Sequence, residues 1–175
     1  RVHDLPNAEK IEDFCNLIKQ LGYQVHTNLN KITPVTMQKL LDEFRDKDEF
    51  VILSDMLLRS MKKAIYSTNN IGHFGLASKN YTHFTSPIRR FPDLTVHRLL
   101  RTYLFENRID LETINFNAKY LIDVAEHSSE TEVNSIEAER DVLDMKMAEY
   151  MEKHVGEEYD GIISGVTNFG LVVEL

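Results

Sequence analysis

Between residues 7 and 66 the apolar side chains recur at intervals of three and four. That period restricts the region to helices, each laying one apolar face on a shared core. Asn7 is a good N-cap for a helix carrying Ile11, Phe14, Leu17, Ile18 and Leu21, and Gly22 supplies the stop. Thr33-Pro34 opens a second helix, with threonine as cap and proline in the first position, whose inner stripe is Met37, Leu40, Leu41 and Phe44. A third is expected from about Glu49 to Tyr66, with Ile52, Met56, Leu57, Met61, Ala64 and Ile65 turned inward. The methionines in these stripes are read as core. Cys15 is the one cysteine of the 175 residues, so no intramolecular disulfide forms and the core must come from apolar burial. A chain of this length can bury roughly 70% of its unfolded surface, which suffices.

Asn69-Asn70 breaks the helical pattern. The segments 71–77 and 81–85, rich in glycine and aromatics and joined by Ser78-Lys79-Asn80, are expected to form a hairpin. Ser86-Pro87 ends it, and a helix follows from Phe91 to about Phe105 with Pro92 in its first turn. Two more helices are expected, Leu111 to about Val133 and Glu137 to about His154, the second with Val142, Met145, Ala148 and Tyr150 near its packed side. From Gly156 the texture is that of strands: 158–166 and 171–175, joined by Thr167-Asn168-Phe169-Gly170. The fold class is therefore α+β, predominantly helical, with a boundary near residue 156. Starting at Arg1-Val2-His3 and ending in the apolar run Leu171–Leu175, the chain reads as a fragment. No apolar run approaches the roughly 20 residues a membrane helix needs, and nothing reads as a signal peptide.

The net charge of −8 argues against a generic cationic nucleic-acid coat. It is unevenly spread. Residues 125–160 carry a local charge of −9, whereas Tyr81–Arg101 holds four arginines and one aspartate. Within that basic stretch Arg89-Arg90 lie on a short turn bounded by Pro87 and Pro92, just before a helix. A helix start offers N–H donors and partial positive charge, and the arginine fork takes two phosphate oxygens at once. Thr85 and Ser86 can add hydroxyl donors, while Tyr81, Phe84 and Phe91 offer rings on which unpaired bases stack. The same residues also suit a solvated or ion-paired surface over core aromatics, with Asp93 and His97, four apart, pairing locally. His73, His83 and His97 can hydrogen-bond and pack separately, or converge on a metal. No phosphate-cradling glycine loop, HExxH or GxSxG is present, so a serine or cysteine nucleophile has no support.

The block Tyr81-Thr82-His83-Phe84-Thr85-Ser86-Pro87-Ile88-Arg89-Arg90-Phe91-Pro92-Asp93-Leu94-Thr95-Val96-His97-Arg98 resembles the signature of the RNB exoribonuclease family, that of the ribonuclease II and ribonuclease R enzymes. Arg1-Val2-His3, Leu58–Met61 and Asn70–Ala77 extend the resemblance, and Glu137–Val142 is similar to a later helical segment of the same domain. Val155-Gly156, Gly161, Val166, Phe169-Gly170 and Leu175 resemble the opening strands of the OB-type RNA-binding module that follows it. Order and spacing favour the ribonuclease R branch. Phe91 departs from the usual tyrosine and loses a hydroxyl but keeps a ring.

The resemblance implies residues 1–155 as the C-terminal half of an RNB catalytic domain and 156–175 as the first strands, a truncated hairpin, of an OB-type barrel. It implies a processive 3′→5′ exoribonuclease that hydrolyses single-stranded RNA to nucleoside 5′-monophosphates. The cofactor would be Mg²⁺, held by an aspartate cluster expected upstream, with no metal ligands here and no activity from the fragment alone. Arg89, with Arg90 beside it, is the candidate for steadying the scissile phosphate; Tyr81, His83, Thr85 and Ser86 are candidate RNA contacts, and Glu137 or Glu139 is the candidate contact to the terminal nucleotide. Single-stranded RNA is the expected partner, with no membrane and no stable protein partner, and the expected location is the cytoplasm, which a single cysteine also suits. A paralogue without the aspartates, serving as a non-catalytic RNA-binding or scaffolding domain, would read the same over these residues.

Overall fold

Caps set the first two helices where the sequence places them. In the computed structural model, which describes residues 1–23, 32–47 and 49–174, α1 spans Ala8–Gln20, and Asn7 Oδ1 accepts the backbone N–H groups of Glu9 at 3.0 Å and Lys10 at 3.3 Å. At its end Gly22, at φ +89°, lets the chain turn so that Tyr23 N–H reaches Ile18 C=O and Gly22 N–H reaches Lys19 C=O. This is the paired closure for which a left-handed glycine is preferred. Helix α2 spans Pro34–Phe44 behind a reciprocal cap: Thr33 Oγ1 accepts Thr36 N–H, and Thr36 Oγ1 accepts Thr33 N–H.

Helix α3, Phe50–Ser60, packs against both α1 and α2. Their shared core is Ile11, Phe14, Cys15 and Ile18 from α1, Met37, Leu40 and Phe44 from α2, and Leu53 and Leu57 from α3, with Phe74 from a later turn. Two stripes therefore sit slightly rotated from expectation. Cys15 replaces the exposed Leu21, and Leu53 and Ser60 are buried while Met56 is exposed. Helix α3 also stops six residues before the expected Tyr66. Residues 61–66 have no local reason to leave a helix, but Ile65 pairs antiparallel with Val2, each N–H donating to the other's C=O at 2.9 and 2.8 Å. Lys62 joins Asp4 in an ion pair on the same segment. Tertiary pairing overrides propensity here.

The hairpin expected over 71–85 is not formed. Phe74–Leu76 is a single 3₁₀ turn that points Phe74 into the core, and the chain reverses within 73–78, where His73 and Ser78 bridge and Ala77 takes a left-handed conformation. Gly75 makes this reversal fit, because its N–H donates to His3 Nδ1 at 3.0 Å and a Cβ there would stand 2.8 Å from that atom. Gly75→Ala is accordingly expected to cost about 1–3 kcal/mol by overpacking, measured as a lowered urea midpoint.

Helix α4, Phe91–Leu100, carries Pro92 in its first turn and passes into a π-helical turn over Arg101–Phe105. After it, α5 runs unbroken from Leu111 to Met151, in place of the two helices expected. No glycine or proline occurs between those residues, and Asn134-Ser135 costs a helix interior only about half a kcal/mol each, which does not end it. The chain divides into two compact units, Arg1–Thr131 and Glu132–Leu175, with the division inside α5. In the second unit Val142, Met145 and Tyr150 are exposed, not packed as expected, since its few described elements do not cover that helix surface.

Beyond α5, β1 (Ile162–Thr167) pairs antiparallel with β2 (Gly170–Glu174), with Thr167 opposite Gly170 and an irregularity at Ser164 between the Ile163 and Gly165 pairs. Thr167 Oγ1 closes the turn, donating to Gly170 C=O and accepting Phe169 N–H. Leu175, expected in the second strand, lies outside the described residues. The architecture is α+β and predominantly helical. No helix is long and apolar enough to cross a membrane among the described residues.

Candidate functional site

Proline chemistry shapes the centre of the basic stretch. Pro87 disfavours helix at Ser86 and fixes its own φ, so the chain bends before α4 can begin. Ser86 C=O accepts the N–H groups of Arg89 at 3.2 Å and Arg90 at 3.0 Å, closing a tight turn over 87–89. Arg90 is extended (φ −124°, ψ 110°) and precedes the first residue of α4 without capping it by its side chain.

Asp93, in the first turn of α4, is completely buried. Its Oδ1 accepts Ser86 N–H at 2.8 Å and Arg90 Nη2 at 2.9 Å, so one oxygen ties the two ends of the turn. Burial pushes this carboxyl up, but the Ser86 N–H and the Arg90 guanidinium together outweigh it and hold the group below the usual carboxylate range. The pair Asp93–His97 expected from their spacing is absent from the bonds of the described residues. Instead His97 Nε2 meets Phe84 C=O at 2.8 Å, and its ring stacks on that of Phe84 at 4.3 Å. Two residues one helical turn apart thus grip alternate backbone groups of the incoming segment, the C=O of Phe84 and the N–H of Ser86.

The two arginines end in different environments. Arg90 is drawn in, with its side chain 23% exposed against Asp93. Arg89 is exposed, and its side chain makes no hydrogen bond or ion pair among the described residues. Thr85 is exposed and Ser86 half-buried, with neither hydroxyl engaged among the described residues. Tyr81, Phe84 and Phe91 keep 40%, 44% and 44% of their surface open, enough to leave ring surface for stacking; Arg98 lies over Phe91 at 5.7 Å. His83 Nδ1 meets Tyr66 Oη at 2.8 Å, and edge contacts run from His73 to Tyr81 at 5.1 Å and on to His83 at 5.8 Å.

Six of the sequence-derived candidates, Tyr81, His83, Thr85, Ser86, Arg89 and Arg90, therefore lie on one continuous stretch of the first unit. Glu137 and Glu139 are exposed on α5 in the second. His73 and His83 both meet the ring of Tyr81 while His97 stacks on Phe84, and no group of three His, Cys, Asp or Glu side chains stands ready to hold a metal among the described residues. These residues do not fit a metal centre. Sequence reading missed the role of Asp93. Its signal was an acidic residue three positions after Arg90 in a helical first turn.

Residues 1–106 match the RNB domain family model, and the chain belongs to that family. Its similarity is to ribonuclease R over its whole length. It is 46% identical to ribonuclease R 1 of Lactococcus lactis across 100% of this chain and 21% of the relative, and 45% identical to ribonuclease R of Thermotoga maritima across 100% and 25%. The chain thus spans about a fifth to a quarter of the curated relatives it matches. Mycoplasma genitalium RNase R, solved without ligand and with ribose-methylated single-stranded RNA, superposes at a TM-score of 0.92 with 34% identity, over 99% of this chain and 27% of that one. Yeast Ssd1, a pseudonuclease, superposes at 0.52 with 28% identity over 74% of this chain and 17% of its own.

Proposed function

We propose that residues 1–155 form the C-terminal half of an RNB catalytic domain and 156–175 the first strands of an OB-type RNA-binding module. The complete enzyme is a processive, cytoplasmic 3′→5′ exoribonuclease that releases nucleoside 5′-monophosphates from single-stranded RNA. The observation that carries this reading is the turn at 86–90, which engages Arg90 with buried Asp93 and leaves the Arg89 guanidinium exposed and uncommitted. Such a donor is free to meet charge growing on a scissile phosphate, to which its planar fork can donate twice. Arg90 supports it from within the turn. Tyr81 and His83 offer ring surfaces to the RNA, Thr85 and Ser86 offer hydroxyls, and Glu137 or Glu139 meets the terminal nucleotide. Mg²⁺, held by carboxylates outside this chain, supplies activation of water and neutralisation of the leaving oxygen when bound. Support for RNA as substrate comes from the M. genitalium relative, solved with single-stranded RNA.

The test compares the 175-residue chain with the complete enzyme on 3′-accessible single-stranded RNA, with and without Mg²⁺. The chain alone is expected to release no mononucleotides, and the complete enzyme to release them stepwise. Mg²⁺-dependent degradation by the chain alone would contradict metal ligands lying outside it.

A second reading, a non-catalytic RNA-binding or scaffolding paralogue, is favoured by the shared fold with the pseudonuclease Ssd1. It predicts RNA binding by the complete protein without hydrolysis, and an upstream sequence lacking clustered aspartates.

A further inference from the structure

A fully buried carboxylate is costly unless charge and hydrogen bonds compensate it, so its placement needs a reason. Asp93 sits on the first turn of α4 and contacts both ends of the turn that carries Arg89 through Oδ1. Between those ends, the N–H groups of Arg89 and Arg90 close the turn on Ser86 C=O. One turn further along α4, His97 holds the segment leading in at Phe84 C=O. Among the described residues the compensation is incomplete: Asp93 Oδ2 and Arg90 Nε are buried without a hydrogen-bond partner.

We infer that Asp93 is a positioning residue for Arg89, clasping the 86–90 turn and drawing Arg90 away from the substrate so that Arg89 alone meets the phosphate. This rests on the role proposed above for Arg89. It adds what that role requires, since an exposed arginine on an unsupported turn samples many positions. A displacement of about 1 Å in a group acting on the transition state can cost roughly 10²-fold in rate.

The coupling is measured by a double-mutant cycle in the complete enzyme, under single-turnover conditions with saturating Mg²⁺ and RNA. Asp93→Asn keeps size and an acceptor for Ser86 N–H but releases Arg90. It is expected to slow cleavage about 10–10²-fold with Arg89 present, and less than about threefold in the Arg89→Ala background. RNA affinity is expected to change less than about threefold in either. Equal losses in both backgrounds would overturn the inference, because a merely structural effect does not depend on Arg89. Normal turnover of Arg89→Ala by itself would instead remove the role of Arg89, and the inference with it. Thermal melting monitors the fold of each variant; if Asp93→Asn does not fold, Arg90→Gln breaks the same ion pair and enters the same cycle.

Discussion

Arg89→Lys in the complete enzyme is expected to slow single-turnover cleavage about 10²–10³-fold, the loss typical of removing one preorganised donor from a developing oxyanion. RNA affinity is expected to fall by less than about threefold, because lysine keeps the charge that attracts the phosphate backbone. What lysine lacks is the planar fork, which addresses two oxygens of one phosphate in a fixed geometry. The exposed, uncommitted state of the Arg89 side chain leaves that fork free to engage a ligand. Rapid-quench kinetics gives the rate and filter binding the affinity. Near-normal turnover would move the role to Arg90. A loss of affinity with unchanged turnover would mean that Arg89 binds ground state and transition state equally.

The parts of the fold that follow from local rules were legible. Asn7, Gly22 and Thr33-Pro34 act through hydrogen bonds within a few residues, so α1 and α2 begin where capping chemistry places them. The turn of the terminal hairpin at Thr167–Gly170 is equally local. The misreadings share the opposite cause. Residues 61–66 leave the helix because Ile65 pairs with Val2, more than sixty positions away, and the 73–78 reversal depends on His3 packing against Gly75. Neither contact has a local signature. The continuity of α5 is a different case, a break expected from two mildly unfavourable residues that propensity alone cannot enforce.

At the candidate site, composition and spacing exposed the basic, proline-bounded turn but could not divide labour between two adjacent arginines. That division comes from burial. Asp93 has no exposed surface and takes Arg90, while its expected partner His97 takes a backbone carbonyl. An i, i+4 spacing places two side chains on one helical face without requiring them to meet, and here both reach across to the backbone of the preceding segment.

Removing the Asp93 side chain tests the energetic side of this arrangement. Asp93→Ala at neutral pH is expected to destabilise the protein by about 3 kcal/mol, the lower end for breaking a buried pair, since Arg90 retains 23% of its side-chain exposure. The cost falls on what remains: a largely buried guanidinium and the Ser86 N–H, both without their acceptor. The pH dependence has a definite sign. The carboxyl of Asp93 lies below its ordinary value of 3.8 in the folded protein, so the unfolded chain binds its proton more readily. Its stabilising contribution is fully present above that ordinary value and is lost as pH falls through the folded one. Urea unfolding followed by circular dichroism should therefore show wild type well above Asp93→Asn at pH 7, with the gap narrowing steadily on acidification below 3.8. A gap that stays constant through that acid range would mean the ionised carboxylate is not what holds the turn, and that the contacts of Asp93 act through shape alone.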